Sequence, residues 1–270
     1  MITRQAIAEM EQRDPGLLKQ AEAAISDFET AITPGIWTLL DKKTLVAEIR
    51  DRVHNPYKIN QGGQPFCGPA AVLFELVRKN PVRYVEICRN LYQLGGFHGA
   101  TQFITSSDKL RRATSGDLRM GQADWMVLAT LREMENILFP VEPNAPDLIR
   151  NLAGMTKSWE MRGWVQEIMG YKRVDHLYTF LTNDIPAITK VAEVLWQEGV
   201  AFALITADGM LNDKPPMIPM PTHWIGLVGN ILVQKDTVGF DVYTWSKKIH
   251  LQMDYGSLKK YLWAVVTGLP

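Results

Sequence analysis

Apolar positions recur at helical spacing through most of the first 198 residues, and the pattern then changes to strand-like runs. The spacing predicts a helix from Asp14 to about Ile32, with Pro15 at an early helical position and the ProGly pair at 34–35 breaking it. A second short helix is predicted near Leu39–Val53. A turn-rich stretch, HNPYKINQGGQPF at 54–66, runs directly into CGPAAVLFELVRKN, where Ala70, Leu73, Phe74 and Val77 share one helical face. Further helices are predicted over Pro81–Leu94 (ended by Gly95–Gly96), Ala123–Leu138, Pro146–Ala153, Ser158–Met169 and Ile185–Glu198, with a Pro-rich turn at 140–146. After Gly199 come VAFALIT at 200–206, HWIGLVGNILVQ at 223–234 (bent or turned at Gly229–Asn230), VGFDVYTW at 238–245 and YLWAVVTGL at 261–269, all read as strands. Helices first and an antiparallel-looking sheet afterwards argue for an α+β fold.

Composition narrows the function classes. Basic and acidic residues balance at 29 each, so the basic excess expected of a nucleic-acid binder is missing. The cluster of Lys109, Arg111 and Arg112 beside Asp108 reads as a solvated surface. No apolar run is long enough for a membrane span, and the first residues lack the apolar core of a secretory signal. The expected location is the cytoplasm, or outside it by a route that needs no signal peptide. Two cysteines do not make a disulfide framework. Cys88 lies in a helical pattern, RYVEICRNLY, and reads as a buried thiol.

Cys67 has a different setting, at the start of a helix and after a glycine-rich loop. A helix N-terminus and a nearby imidazolium both favour the thiolate, the nucleophilic form. Of the five histidines, His54 and His98 fall in loop-like segments, His176 in an irregular stretch and His250 in a late strand or turn. His223 opens an apolar strand behind the Pro-rich segment KPPMIPMPT, so it can face a cleft, and any pairing with Cys67 must be spatial. Gln61, six positions before Cys67, can supply a donor for an oxyanion together with the nucleophile's own backbone N–H. No second Cys or His stands at metal-ligand spacing, so no metal or cofactor is expected.

The segment NQGGQPFCGPAAVLFEL resembles the nucleophile region of the papain-like cysteine peptidase superfamily: Gln61, Gly62 and Cys67 match in place. The downstream pattern VAFALITADG…PTHWIGLVGN is similar to the bacteriocin-processing-peptidase-like branch of that superfamily. The resemblance covers about 60–80 and 195–265, and the middle of the chain carries no assignable motif. It implies a single papain-like domain over 1–270, with a helical extension (1–58), a helical half (59–198) holding the nucleophile helix and a sheet half (199–270) bearing His223. It further implies amide-bond hydrolysis of a protein or peptide, by peptide cleavage or deamidation, through a Cys67 thioester, and a third residue orienting His223. Strand alternation puts Phe240, Val242, Thr244 and Ser246 on one face and brings Thr244 toward the histidine. Asp241 is the better chemical partner for an imidazolium but falls on the other face of a regular strand. Thr244 is favoured and Asp241 stays open.

A hydrolase of this kind without a signal peptide fits a bacterial toxin effector, with an immunity or chaperone protein as partner. The alternative is a catalytically inactive papain-like module that binds a protein. Asp124, Trp125, Glu133 and Glu135 on one predicted helix read as a solvated face, and Trp159 and Trp164 as core or cleft wall. The loop at 210–222 is expected to be either a substrate gate or a plain connection.

Overall fold

The computed structural model describes residues 13–116, 118–138, 155–179, 184–212 and 214–270. The predicted turn at 140–146 and the predicted helix Pro146–Ala153 lie outside the described residues. Within them the chain is mixed α+β with an antiparallel C-terminal sheet.

The helices begin where local chemistry favours a start. Asp14 caps α1 (Pro15–Thr30) by accepting the Gly16 N–H at 2.7 Å, and Asp41 caps α2 (Lys42–His54) through the Thr44 N–H at 2.7 Å. A 3₁₀ turn (Pro56–Lys58) leads into the loop before α3 (Cys67–Lys79). Every residue of α3 from Cys67 to Val77 is buried, which makes it the central helix. Asn80 and Pro81 start α4 (Pro81–Leu94), and Gly95 ends it in the left-handed region at φ 75°. A small hairpin of β1 (Gly96–His98) and β2 (Phe103–Thr105) follows, then α5 (Asp108–Ala113), α6 (Gln122–Leu138) and α7 (Ser158–Met169).

The main sheet contains β3 (Arg173–Tyr178), β4 (Val200–Ile205), β5 (His223–Val233), β6 (Thr237–Thr244), β7 (Lys247–Asp254) and β8 (Leu262–Leu269). Their order is β3-β8-β4-β5-β6-β7, with every neighbouring pair antiparallel. Three short helices complete the fold: α8 (Asp184–Trp196), α9 (Ala207–Met210) and α10 (Tyr255–Tyr261). The sheet buries both faces. Phe202, Leu204, Trp224, Tyr243 and Val266 join the helical core built on α3 and α7. Ala203, Ile205, Ile225, Phe240 and Val242 pack instead with α8 and α10. A strand covered on both sides reads as an unbroken apolar run, which is why VAFALI lacks alternation.

Several expectations need correction. The sheet does not begin at 199: β3 is its edge strand, paired with β8 through contacts such as His176↔Val266. RVDHLY is half exposed and carries polar residues at alternate positions, so it reads as irregular in sequence. His176 therefore lies in a strand, as do His98 and His250, and His54 closes α2. The acidic residues of α6 do not form a solvated face. Asp124 and Glu135 are fully buried, and Glu133 is tied to the Ser107 backbone N–H at 2.9 Å. Asp124 accepts from Arg52 at 2.8 and 3.2 Å and from the Asn60 N–H at 3.1 Å. Both cysteines are free and buried, and no helix among the described residues is long and apolar enough to cross a membrane.

The Arg52–Asp124 pair fixes the start of the loop that leads to Cys67. Burial pushes the Asp124 carboxyl up to about 6 in spite of the guanidinium. Removing one member of a buried pair leaves the other uncompensated, at a cost of about 3–5 kcal/mol. Arg52→Ala is expected to lower unfolding stability in urea by that amount, with Arg52→Lys intermediate. A loss under about 1 kcal/mol, the range of an exposed ion pair, contradicts the anchoring role.

Candidate active site

The loop over 60–66 is shaped by two glycines. Gly62 (φ 57°) and Gly63 (φ 76°) take left-handed backbone, and a Cβ at Gly62 would stand 2.3 Å from the Arg119 carbonyl oxygen. The Gly62 N–H is held by Asn60 Oδ1 at 2.8 Å. Gln61 donates from Nε2 to the Gln64 carbonyl at 3.1 Å, so one amide hydrogen braces its own turn. The loop delivers Cys67 as the first residue of α3.

That helix start has no side-chain cap. The backbone N–H groups of Trp224 on β5 and of Gly68 act on the Cys67 sulfur. These amides favour the thiolate, and the Arg132 charge acts in the same direction. Burial acts against them and dominates, raising the thiol above its ordinary range. At 6% exposure the residue is nearly closed off.

The Trp224 contact places the thiol at the mouth of β5, one residue along the strand from His223. His223 Nε2 lies 2.7 Å from Thr244 Oγ1, and the two side chains share the face that also carries Ile225 and Val242. Burial alone pushes the imidazole down, to about 4. A hydroxyl has no charge with which to oppose that shift. Trp245 stacks over the ring, with centroids 4.6 Å apart and planes at 24°. It does so from a two-residue turn between β6 and β7 in which Trp245 (φ 44°) and Ser246 (φ 61°) are both left-handed. Such a turn normally carries Asn and Gly, so Trp and Ser here hold local strain beside the imidazole.

The two halves of the site are bound together at one carbonyl. Ile59 O accepts from Tyr243 Oη and Ser246 Oγ, each at 2.8 Å. These residues flank Thr244 and Trp245, so the turn that holds the imidazole is fastened to the loop that delivers the thiol. Tyr243 also stacks on Phe74 of α3 at 3.9 Å, with planes 4° apart.

Asp241 is not beside His223. It accepts from His250 Nδ1 at 2.7 Å and from Asn230, and pairs with Lys248 at 3.2 Å. Burial opposes its charge, but these partners outweigh it and hold the carboxyl below its ordinary value. Cys88 is fully buried in α4 and burial pushes its thiol up strongly. Among the described residues no cluster of three or more His, Cys, Asp or Glu is placed to hold a metal ion.

Sequence reasoning passed over Thr156, Trp245, Ser246 and the Ile59 carbonyl. The strand predicted through Trp245 in fact ends at Thr244, and Trp245 and Ser246 form the turn into β7. The chain matches no protein-family model, and no curated protein is significantly similar to it.

The His223 shift sets a sign for stability. With a folded value near 4 and an unfolded value near 6.5, the unfolded state binds the extra proton between those pH values. The contribution is fully present above about pH 6.5 and is lost as pH falls toward 4, by on the order of 3 kcal/mol. Unfolding stability of the wild type is expected to drop more steeply between pH 6.5 and 4 than that of His223→Gln. Parallel pH profiles contradict a buried neutral imidazole.

Proposed function

We propose that this protein is a papain-like cysteine hydrolase that cleaves an amide bond in a protein or peptide through a Cys67 thioester. The observation that carries this reading is the meeting of an uncapped helix start with the mouth of β5. There the Trp224 N–H favours the Cys67 thiolate, and Trp224 directly follows a histidine whose Nε2 is already engaged by Thr244. With Nε2–H donating to Thr244, Nδ1 carries the lone pair that takes the thiol proton. The sulfur adds to the carbonyl carbon, the C–N bond breaks, and the imidazolium returns its proton to the leaving amine. Water then adds to the thioester with His223 as base, and the acid and the free thiol are released. Gln61 has a second amide hydrogen for the developing oxyanion, and Trp245 shields the imidazole from water.

A second reading, an inactive module that binds a protein partner, is favoured by one observation. Burial keeps both members of the pair neutral, the thiol raised and the imidazole lowered. Proton transfer in the transition state does not need a preformed ion pair, so neutrality at rest is compatible with the hydrolase.

A fluorogenic peptide-amide library separates the two readings. The hydrolase predicts cleavage that is abolished by Cys67→Ala and reduced about 10²–10⁴-fold by His223→Ala. Thr244→Val should cause a smaller loss and Asp241→Asn none. The acid limb of the rate should lie near pH 4 rather than 6.5, because neutral His223 is required. Cleavage that survives Cys67→Ala rules the hydrolase out.

A further inference from the structure

Thr156 lies in the part of the chain without a motif, yet it touches both sides of the Cys67 site. Its hydroxyl donates to Glu135 Oε1 at 2.7 Å, and both residues are fully buried. The same oxygen of Glu135 accepts from Trp164 Nε1 at 3.1 Å, and the other pairs with Arg132. Glu135 is therefore a carboxylate with its partners in place, fixed inside the helical core. It holds Thr156 at a defined position between α6 and the start of α3.

From that position Thr156 makes two further contacts. Its side chain lies against Gly68 so closely that a Cβ there would meet Thr156 Oγ1 and Cβ at 2.5 Å. Its carbonyl accepts from Trp224 Nε1 at 2.7 Å. Gly68 directly follows Cys67 and Trp224 directly follows His223, and the backbone N–H of each favours the Cys67 thiolate. One comes from the helix and one from the sheet, and Thr156 is in contact with both.

We infer that Thr156, anchored on the buried Glu135, is a positioning residue that sets the Gly68 and Trp224 amides around the Cys67 sulfur and so stabilises its thiolate. This rests on the reading of Cys67 as a nucleophile. The hydroxyl-to-carboxylate bond fixes Thr156, the contact with Gly68 sets the helix start, and the carbonyl sets the Trp224 indole and with it the strand mouth. The other charged group that acts on the sulfur is Arg132 from α6, which is paired with Glu135.

The test is the pH–rate profile of iodoacetamide alkylation at Cys67, followed by peptide mass in the full-length protein. Thr156→Val keeps the shape and removes the hydroxyl. It is expected to raise the thiol midpoint and to slow alkylation at neutral pH about tenfold, the change that one unit of thiol pKa gives. Thr156→Ser keeps the hydroxyl and should restore the wild-type midpoint, which a purely structural role does not predict. Gly68→Ala forces the contact apart and should also raise the midpoint. Should Thr156→Val fail to fold, the Gly68→Ala and Thr156→Ser profiles decide alone. Folded variants with the wild-type midpoint overturn the inference while leaving the nucleophile in place. Peptide-amide cleavage that survives Cys67→Ala overturns the nucleophile reading itself, and the inference with it.

Discussion

A helix that starts in the protein interior must find acceptors for its first amides, because a buried N–H without a partner costs about 1–3 kcal/mol. The central helix α3 starts this way and has no side-chain cap. The Gly68 and Trp224 amides act on the Cys67 sulfur there, and a neutral thiol is a weak acceptor whereas a thiolate is a strong one. The fold thus contains a site whose hydrogen-bonding improves when its cysteine loses a proton. The glycine loop brings Cys67 there, β5 adds the Trp224 N–H, and Thr156 reaches the donors on both sides.

Desolvation sets the opposing term. The thiol and the imidazole are both nearly sealed, and burial alone keeps each neutral at rest. A carboxylate beside His223 would shift the balance toward the ion pair. Thr244 supplies direction without charge, and the carboxylate of Asp241 is occupied by His250, Lys248 and Asn230. In the proposed hydrolase the thiol proton moves during attack rather than before it. The Ile59 carbonyl, shared by Tyr243 and Ser246, keeps the histidine turn aligned with the thiol loop, which matters when no charge pair holds them.

Much of this was legible in local sequence. Helix ends followed Asp14, Pro15 and Gly95, and alternation along FDVYT put Thr244 on a different face from Asp241. The features that were not legible depend on distant residues or on backbone atoms. Arg52 meets Asp124 across 72 positions, so acidic residues on α6 looked solvated. The strand β3 is half exposed and shows polar residues where a core strand shows apolar ones. Thr156 acts partly through its carbonyl, and any residue type has one. The turn at Trp245 and Ser246 uses side chains that rarely take left-handed backbone, because one covers the imidazole and the other reaches Ile59.

The central claim is that the two buried cysteines differ in chemistry: Cys67 stands at a helix start beside the Gly68 and Trp224 amides, Cys88 lies inside a helix, and His223 is proposed as the base for Cys67 alone. A peptidyl vinyl sulfone applied to the full-length protein at neutral pH, with labelled sites mapped by mass spectrometry, tests this most directly. The account predicts modification of Cys67 and not of Cys88, with the Cys67 label lost in His223→Ala. Equal labelling of both cysteines, or labelling of Cys67 that is indifferent to His223, would contradict it.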